Sequence, residues 1–155
     1  IMPVYGRNDR DAVPDAEVRL MSDAVMDLRA RHDVPFTQDG HRDGSIAYAH
    51  DLGLTGPFAL FSHSVDLTAG DIAALQESGT AIVHNPSAIM SILGRCPVPE
   101  LIDAGVCVAL GSDAAAPDRG YDMFRHMAQC MHYHRRHFQP ILQGQSADLL
   151  LAQNH

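Results

Sequence analysis

The chain has 155 residues, a formal net charge of −8 and 46% hydrophobic residues. That is one domain, or a piece of a larger one, with enough apolar side chains for a real core. No apolar run approaches the roughly 18 residues of a membrane span, so a membrane partner is not expected. Arginine supplies every fixed positive side-chain charge, and the acidic excess argues against nucleic acid, whose phosphates need a basic face.

Cys96, Cys107 and Cys130 show no CxxC spacing, so a reducing cytoplasm is the expected compartment rather than a disulfide framework. No charged-then-apolar leader opens the chain, and a first residue of Ile1 suggests an excised or processed piece. Ten histidines are the first sign of metal or proton chemistry.

Taken in order, residues 14–32 place Val18, Met21, Val25 and Leu28 on one face and predict an amphipathic helix. "DVPFT" reads as a short strand, followed by the polar turn "QDGHRDG". "SIAYAHDLG" predicts a helix begun by Ser45 and stopped by Gly53. "PFALFSH", residues 57–63, is the next strand. "TAGDIAALQESG" opens on Thr68 with Asp71 three residues on, a capping-box pattern, and closes at Gly79. "TAIVH", residues 80–84, is a third strand. "PVPELIDAG" is a short helix with an early proline and a terminal glycine. "VCVAL" is a fourth strand, with Cys107 expected in the core, and "YDMFRHMAQCMHYHRRHF" a long helix.

Strand–helix units of 20 to 30 residues suit parallel strands joined by crossover helices. No Gly-rich phosphate loop is present, which counts against a nucleotide-binding doubly wound sheet. The fold class expected is α/β, a partial (βα)8 TIM-type barrel of about four units, with a trailing strand in "GQSADLLLAQNH".

In such folds chemistry collects beyond the carboxyl ends of the strands. "FALFSH" ends in His63, "TAIVH" in His84, and "VALGSD" reaches Asp113. Two imidazoles and a carboxylate at one mouth suit metal-assisted hydrolysis. The competing reading makes Asp113 a turn cap and both histidines partners of backbone groups. On the last helix, His126, Cys130 and His134 fall at i, i+4 and i+8. That spacing suits zinc, but Phe124, Met127 and Met131 favour a helix packed through its apolar side with these polar groups in water.

"SHSVDLTAGDIAALQESGTAIVHNPSAIM", "PVPELIDAGVCVALGSDAAAP" and "YDMFRHM" resemble the amidohydrolase superfamily, in its cytosine/guanine deaminase and triazine hydrolase branch. The resemblance covers about residues 14–138 and implies the last four units of a (βα)8 barrel. Residues 1–140 would be the C-terminal half of a metal-dependent hydrolase barrel, and 141–155 a remnant strand of a small β domain.

By position, Asp113 matches an eighth-strand aspartate that binds metal and carries a proton. His63 matches a sixth-strand histidine that orients water and binds metal in two-metal members. His84 and Asn85 match residues near substrate, and Asp118 lies in a loop that can reach it. The fifth-strand histidine ligand has no positional match; Asp39, or His41 beyond it, stands nearby. The first-strand HxH pair has no counterpart, and "HNPSAI" puts Ala88 and Ile89 where a polar pair is usual.

The implied cofactor is a divalent metal, zinc first and iron second. The implied reaction is hydrolytic deamination or dechlorination of a nitrogen heterocycle, with a cyclic-amide hydrolase or a catalytically silent fragment as alternatives. A half-barrel leaves sheet edges unpaired, so the chain is expected to form a homo-oligomer or pair with a missing half. Alone it should retain metal weakly and turn nothing over.

Overall fold

The computed structural model describes residues 13–40, 44–89, 94–114 and 120–142. The expected trailing strand falls outside them except for residues 141 and 142, so the boundary expected at residue 141 lies within the last helix, Met123–Leu142. The elements run α1 (Asp15–His32), β1 (Phe36–Gly40), α2 (Ser45–Asp51), β2 (Ala59–His63), α3 (Ala69–Ser78), β3 (Ala81–His84), α4 (Pro86–Ile89), α5 (Val98–Asp103), β4 (Val108–Leu110) and α6 (Met123–Leu142).

Four strands form one sheet in the order β1-β2-β3-β4, every neighbouring pair parallel. Each strand pairs with the next in sequence, as in a barrel wall; a doubly wound sheet would reverse its order at a switch point. Right-handed crossovers between successive parallel strands put the connecting helices on one side.

The burial pattern follows. Phe36, Ala59, Phe61 and Ile82 are buried with Ile46, Leu54, Leu75 and Leu101 in one core. On the opposite face Thr37 and Ala109 are exposed and Leu60 is 39% exposed. That face corresponds to a barrel lumen. Among the described residues, β1 and β4 are its unpaired edges, as expected of half a barrel.

The capping box of α3 is present. Thr68 Oγ1 accepts from the Asp71 amide, and the Thr68 amide donates to Asp71 Oδ2. The same buried carboxylate accepts from the Ile46 and Ala47 amides at 2.9 Å, so Asp71 also caps α2. Gly44, with φ 78°, precedes α2, and Ser45 provides no cap.

Other expectations shift. The buried side of α1 is Val18 and Ser22, with Val25 and Met26 half-buried, whereas Met21 and Leu28 face water. Ser22 fits inside because its hydroxyl donates to the Val18 carbonyl at 2.8 Å. Strand β1 begins three residues later than expected, because Asp33 ends α1 in the left-handed region and the Val34 amide still bonds back to Arg29. It therefore extends through the polar "QDG". Cys107 precedes β4 and is exposed rather than buried.

Helix α6 is turned opposite to expectation. Phe124 is 82% exposed, and Met127 and Met131 face solvent, while His126 and His134 are buried. His126 is fixed from both ring nitrogens, Nδ1 against Ser87 Oγ at 2.6 Å and Nε2 donating to the Gly120 carbonyl at 2.8 Å. Those bonds give His126 its partners inside, and the methionines take the outside.

Candidate active site

At the carboxyl end of the sheet, side-chain alternation would carry His63 to the helix-covered face with Ala59 and Phe61. It does not go there. His63 has φ 67° and the following Ser64 φ 53°, a left-handed pair that turns the imidazole onto the open face. There His63 Nε2 lies 3.5 Å from Asp39 Oδ1. Ser62 Oγ donates to that same carboxylate oxygen at 2.8 Å. The other ring nitrogen, Nδ1, is 3.0 Å from Asn85 Nδ2.

Left-handed backbone at non-glycine residues costs free energy and persists where surrounding contacts hold it, commonly at functional sites. Asp113, just beyond β4, is the other carboxyl-end residue expected in the site, and it too is left-handed, with φ 57°. Its Oδ1 accepts from the Ala114 amide at 2.6 Å, and its side chain is exposed.

Asn85 is held in place from the next strand. A Cβ at Gly111 would collide with Asn85 Oδ1 and press on Val83 at 3.0 Å. Only glycine leaves room for the amide that orients His63.

The structure thus brings together His63, Asn85 and Asp39, the last being one of two substitutes weighed for the missing fifth-strand ligand. Asp113 ends the neighbouring strand but is not in a three-ligand group with them. His41 and Asp118 lie outside the described residues.

His84 sits elsewhere. Its neighbour in alternation is the core residue Ile82, and it follows Ile82 under the helices, 0% exposed. Neither ring nitrogen has a hydrogen-bond partner. Burial, then the charges of His134, His63 and Arg95, push its pKa down to about 4. The His134 ring lies 5.9 Å away, centroid to centroid. The sequence signal for this second cluster was the i, i+4 spacing of Cys130 and His134; what it could not show was that His84, not His126, completes it.

The donor set at the mouth fits zinc. Two ligands of one tetrahedral zinc, each near 2.0–2.1 Å from the ion, stand about 3.4 Å apart, and the His63 Nε2 to Asp39 Oδ1 separation is 3.5 Å. As placed, Asn85 Nδ2 donates to Nδ1; a histidine that binds metal through Nε2 donates from Nδ1 instead, which needs the Asn85 oxygen there. Asn85 can serve either tautomer by turning its amide over.

No protein-family model matches the chain. Among curated proteins it is 37% identical over 91 residues to a 5-methylthioadenosine/S-adenosylhomocysteine deaminase of Nitratidesulfovibrio vulgaris, covering 58% of this chain and 21% of that protein. Among solved structures, an amidohydrolase from a Sargasso Sea environmental sample superposes with a TM-score of 0.66 at 26% identity, covering 76% of this chain and 27% of that one. The chain is a homologue of the amidohydrolases. A zinc-bound adenosine deaminase from Xanthomonas campestris shares the fold, with a TM-score of 0.68 at 23% identity over 76% of this chain and 30% of its own. The chain therefore spans about a fifth of the curated relative and under a third of the solved ones. No helix among its described residues is long and apolar enough to cross a membrane.

Proposed function

We propose that the chain supplies the C-terminal half of a metal-dependent amidohydrolase site that hydrolyses a C–N bond of an amino-substituted nitrogen heterocycle. The observation that carries this reading is His63. Its strained backbone takes the imidazole out of the core and sets it at ligand separation from Asp39, at the strand ends of a barrel wall. The names of the relatives, deaminases of adenosine-type compounds, favour loss of ammonia over loss of chloride.

In this assignment His63 and Asp113 hold the metal, and Asp39 takes the place of the fifth-strand ligand. Zinc, when bound, lowers the pKa of a coordinated water toward neutrality and so supplies the nucleophile. The Asp113 carboxylate accepts the proton as the water oxygen bonds to the ring carbon, and returns it to the amino nitrogen as the C–N bond breaks and ammonia leaves. As a ligand through Nε2, His63 leaves Nδ1 to Asn85, which fixes the ring. By the resemblance, Asp118 would contact substrate and His41 would offer a further metal ligand. Of residues 141–155, those beyond the end of α6 at Leu142 would return to a small β domain beside the barrel.

The open face and the two free sheet edges indicate that turnover needs the other half of a barrel. Co-expression with the N-terminal half of the Nitratidesulfovibrio relative tests this. The complex should release ammonia from an adenosine-type nucleoside, and the 155-residue chain alone should not. A zinc-loaded, co-purifying complex that releases none would overturn the reading.

A further inference from the structure

We propose a second metal site, on the helix-covered side of the sheet and built from other residues than the strand-end mouth, formed by His84, Cys130 and His134 and suited to zinc. His84 ends β3 beneath α6, and Cys130 and His134 are one turn apart on the inner face of that helix. One ligand atom from each lies within 4.8 Å of the other two. No other group of three such residues this close occurs among the described residues.

The chemistry of the cluster asks for an occupant. His84 is 0% and His134 7% exposed, and all four of their ring nitrogens are buried without a hydrogen-bond partner. A buried polar group left unpaired costs roughly 1–3 kcal/mol, and native structures rarely keep two imidazoles in that state. The stripe's other histidine, His126, shows the alternative, with both its nitrogens satisfied by Ser87 and Gly120.

Both cluster histidines are held below the ordinary imidazole pKa by burial first, so they are neutral, ligand-ready bases at pH 7. Cys130 contributes a thiol that a metal would deprotonate. Two imidazoles and one thiolate are the donors of choice for zinc, and three protein ligands leave a fourth position open. A surface groove lined by Pro99, Met131, His132, His134, Arg135, Arg136 and Phe138 reaches one of the three ligands from outside. No hydrogen bond of the His84 or His134 ring would have to break for the donors to close on an ion.

The test uses the 155-residue chain with zinc and cobalt(II) as probes. Cobalt(II) should give a thiolate-to-metal charge-transfer band that survives His63→Asn and disappears in Cys130→Ser. His134→Ala should weaken zinc binding by more than the roughly 10–100-fold that loss of a mere supporting partner costs. Since either variant could fold poorly, the unmodified chain provides an independent readout. Zinc should slow iodoacetamide labelling of Cys130 at least tenfold while leaving the exposed Cys107 unaffected. Equal labelling of Cys130 with and without zinc, or a cobalt band lost in His63→Asn and kept in Cys130→Ser, would overturn the proposal.

Discussion

His63 and His84 end neighbouring parallel strands, and they meet opposite surroundings. His63 leaves the regular alternation through a left-handed backbone and joins Asp39 and Asn85 at the open mouth. His84 keeps the alternation, follows Ile82 inward and stays unpartnered under α6. The difference teaches that a strand-end position does not by itself decide which side of a barrel wall a residue serves. One residue's φ does.

The largest effect should come from the open side. In a completed barrel, His63→Ala or Asp113→Asn should lower the rate of ammonia release by at least the 10²–10⁴-fold that a positioned proton-transfer group contributes. Far-ultraviolet circular dichroism should stay unchanged, because both side chains leave the apolar core untouched. Wild-type rates in both variants would erase the distinction between the two sides.

On the closed side the readout is stability against pH. The folded-state pKa of His84 is about 4 and the ordinary value 6.5, so between these limits the unfolded chain binds more protons than the folded one. Stability of the metal-free chain therefore falls as pH drops from about 6.5 to about 4, by up to about 3 kcal/mol from this residue. Urea titrations at several pH values should show that slope, and His84→Gln should flatten it. His63→Gln should keep most of the slope, because burial is the largest cause of the shift and the His63 charge a smaller one.

Gly111→Ala sharpens the comparison in another way. The new Cβ displaces the Asn85 amide and frees the His63 ring, so activity of a completed barrel should fall roughly 10–100-fold, as when a liganding histidine loses its orienting partner. Zinc protection of Cys130 should not change. The smallest effect belongs to Ser87→Ala, which removes the partner of His126 Nδ1 and should cost about 1 kcal/mol in thermal or urea unfolding.

Much of this architecture is legible in the sequence because it is written in local chemistry. Thr68 with Asp71 announces α3, and apolar runs ending in His63 and His84 announce parallel strands capped by reactive groups. What stayed hidden has a physical reason in each case. The polar Gln38 and Asp39 disguise the end of β1, because a strand that feeds a site ends in polar residues.

Asp71 reaches 25 residues back to cap α2, a contact no window of sequence contains. The orientation of α6 was misjudged from Phe124, Met127 and Met131, because hydropathy favours burying them while hydrogen bonds at His126 settle the helix the other way. The left-handed turn at His63 leaves no compositional trace, and without it both histidines look equivalent.

The separation of the two sites is best tested by elemental analysis of the purified 155-residue chain and two variants after dialysis against limiting zinc. Close to one zinc per chain is expected in the wild type and in His63→Asn, and a large loss in Cys130→Ser. Zinc that follows His63 and ignores Cys130 would contradict that separation.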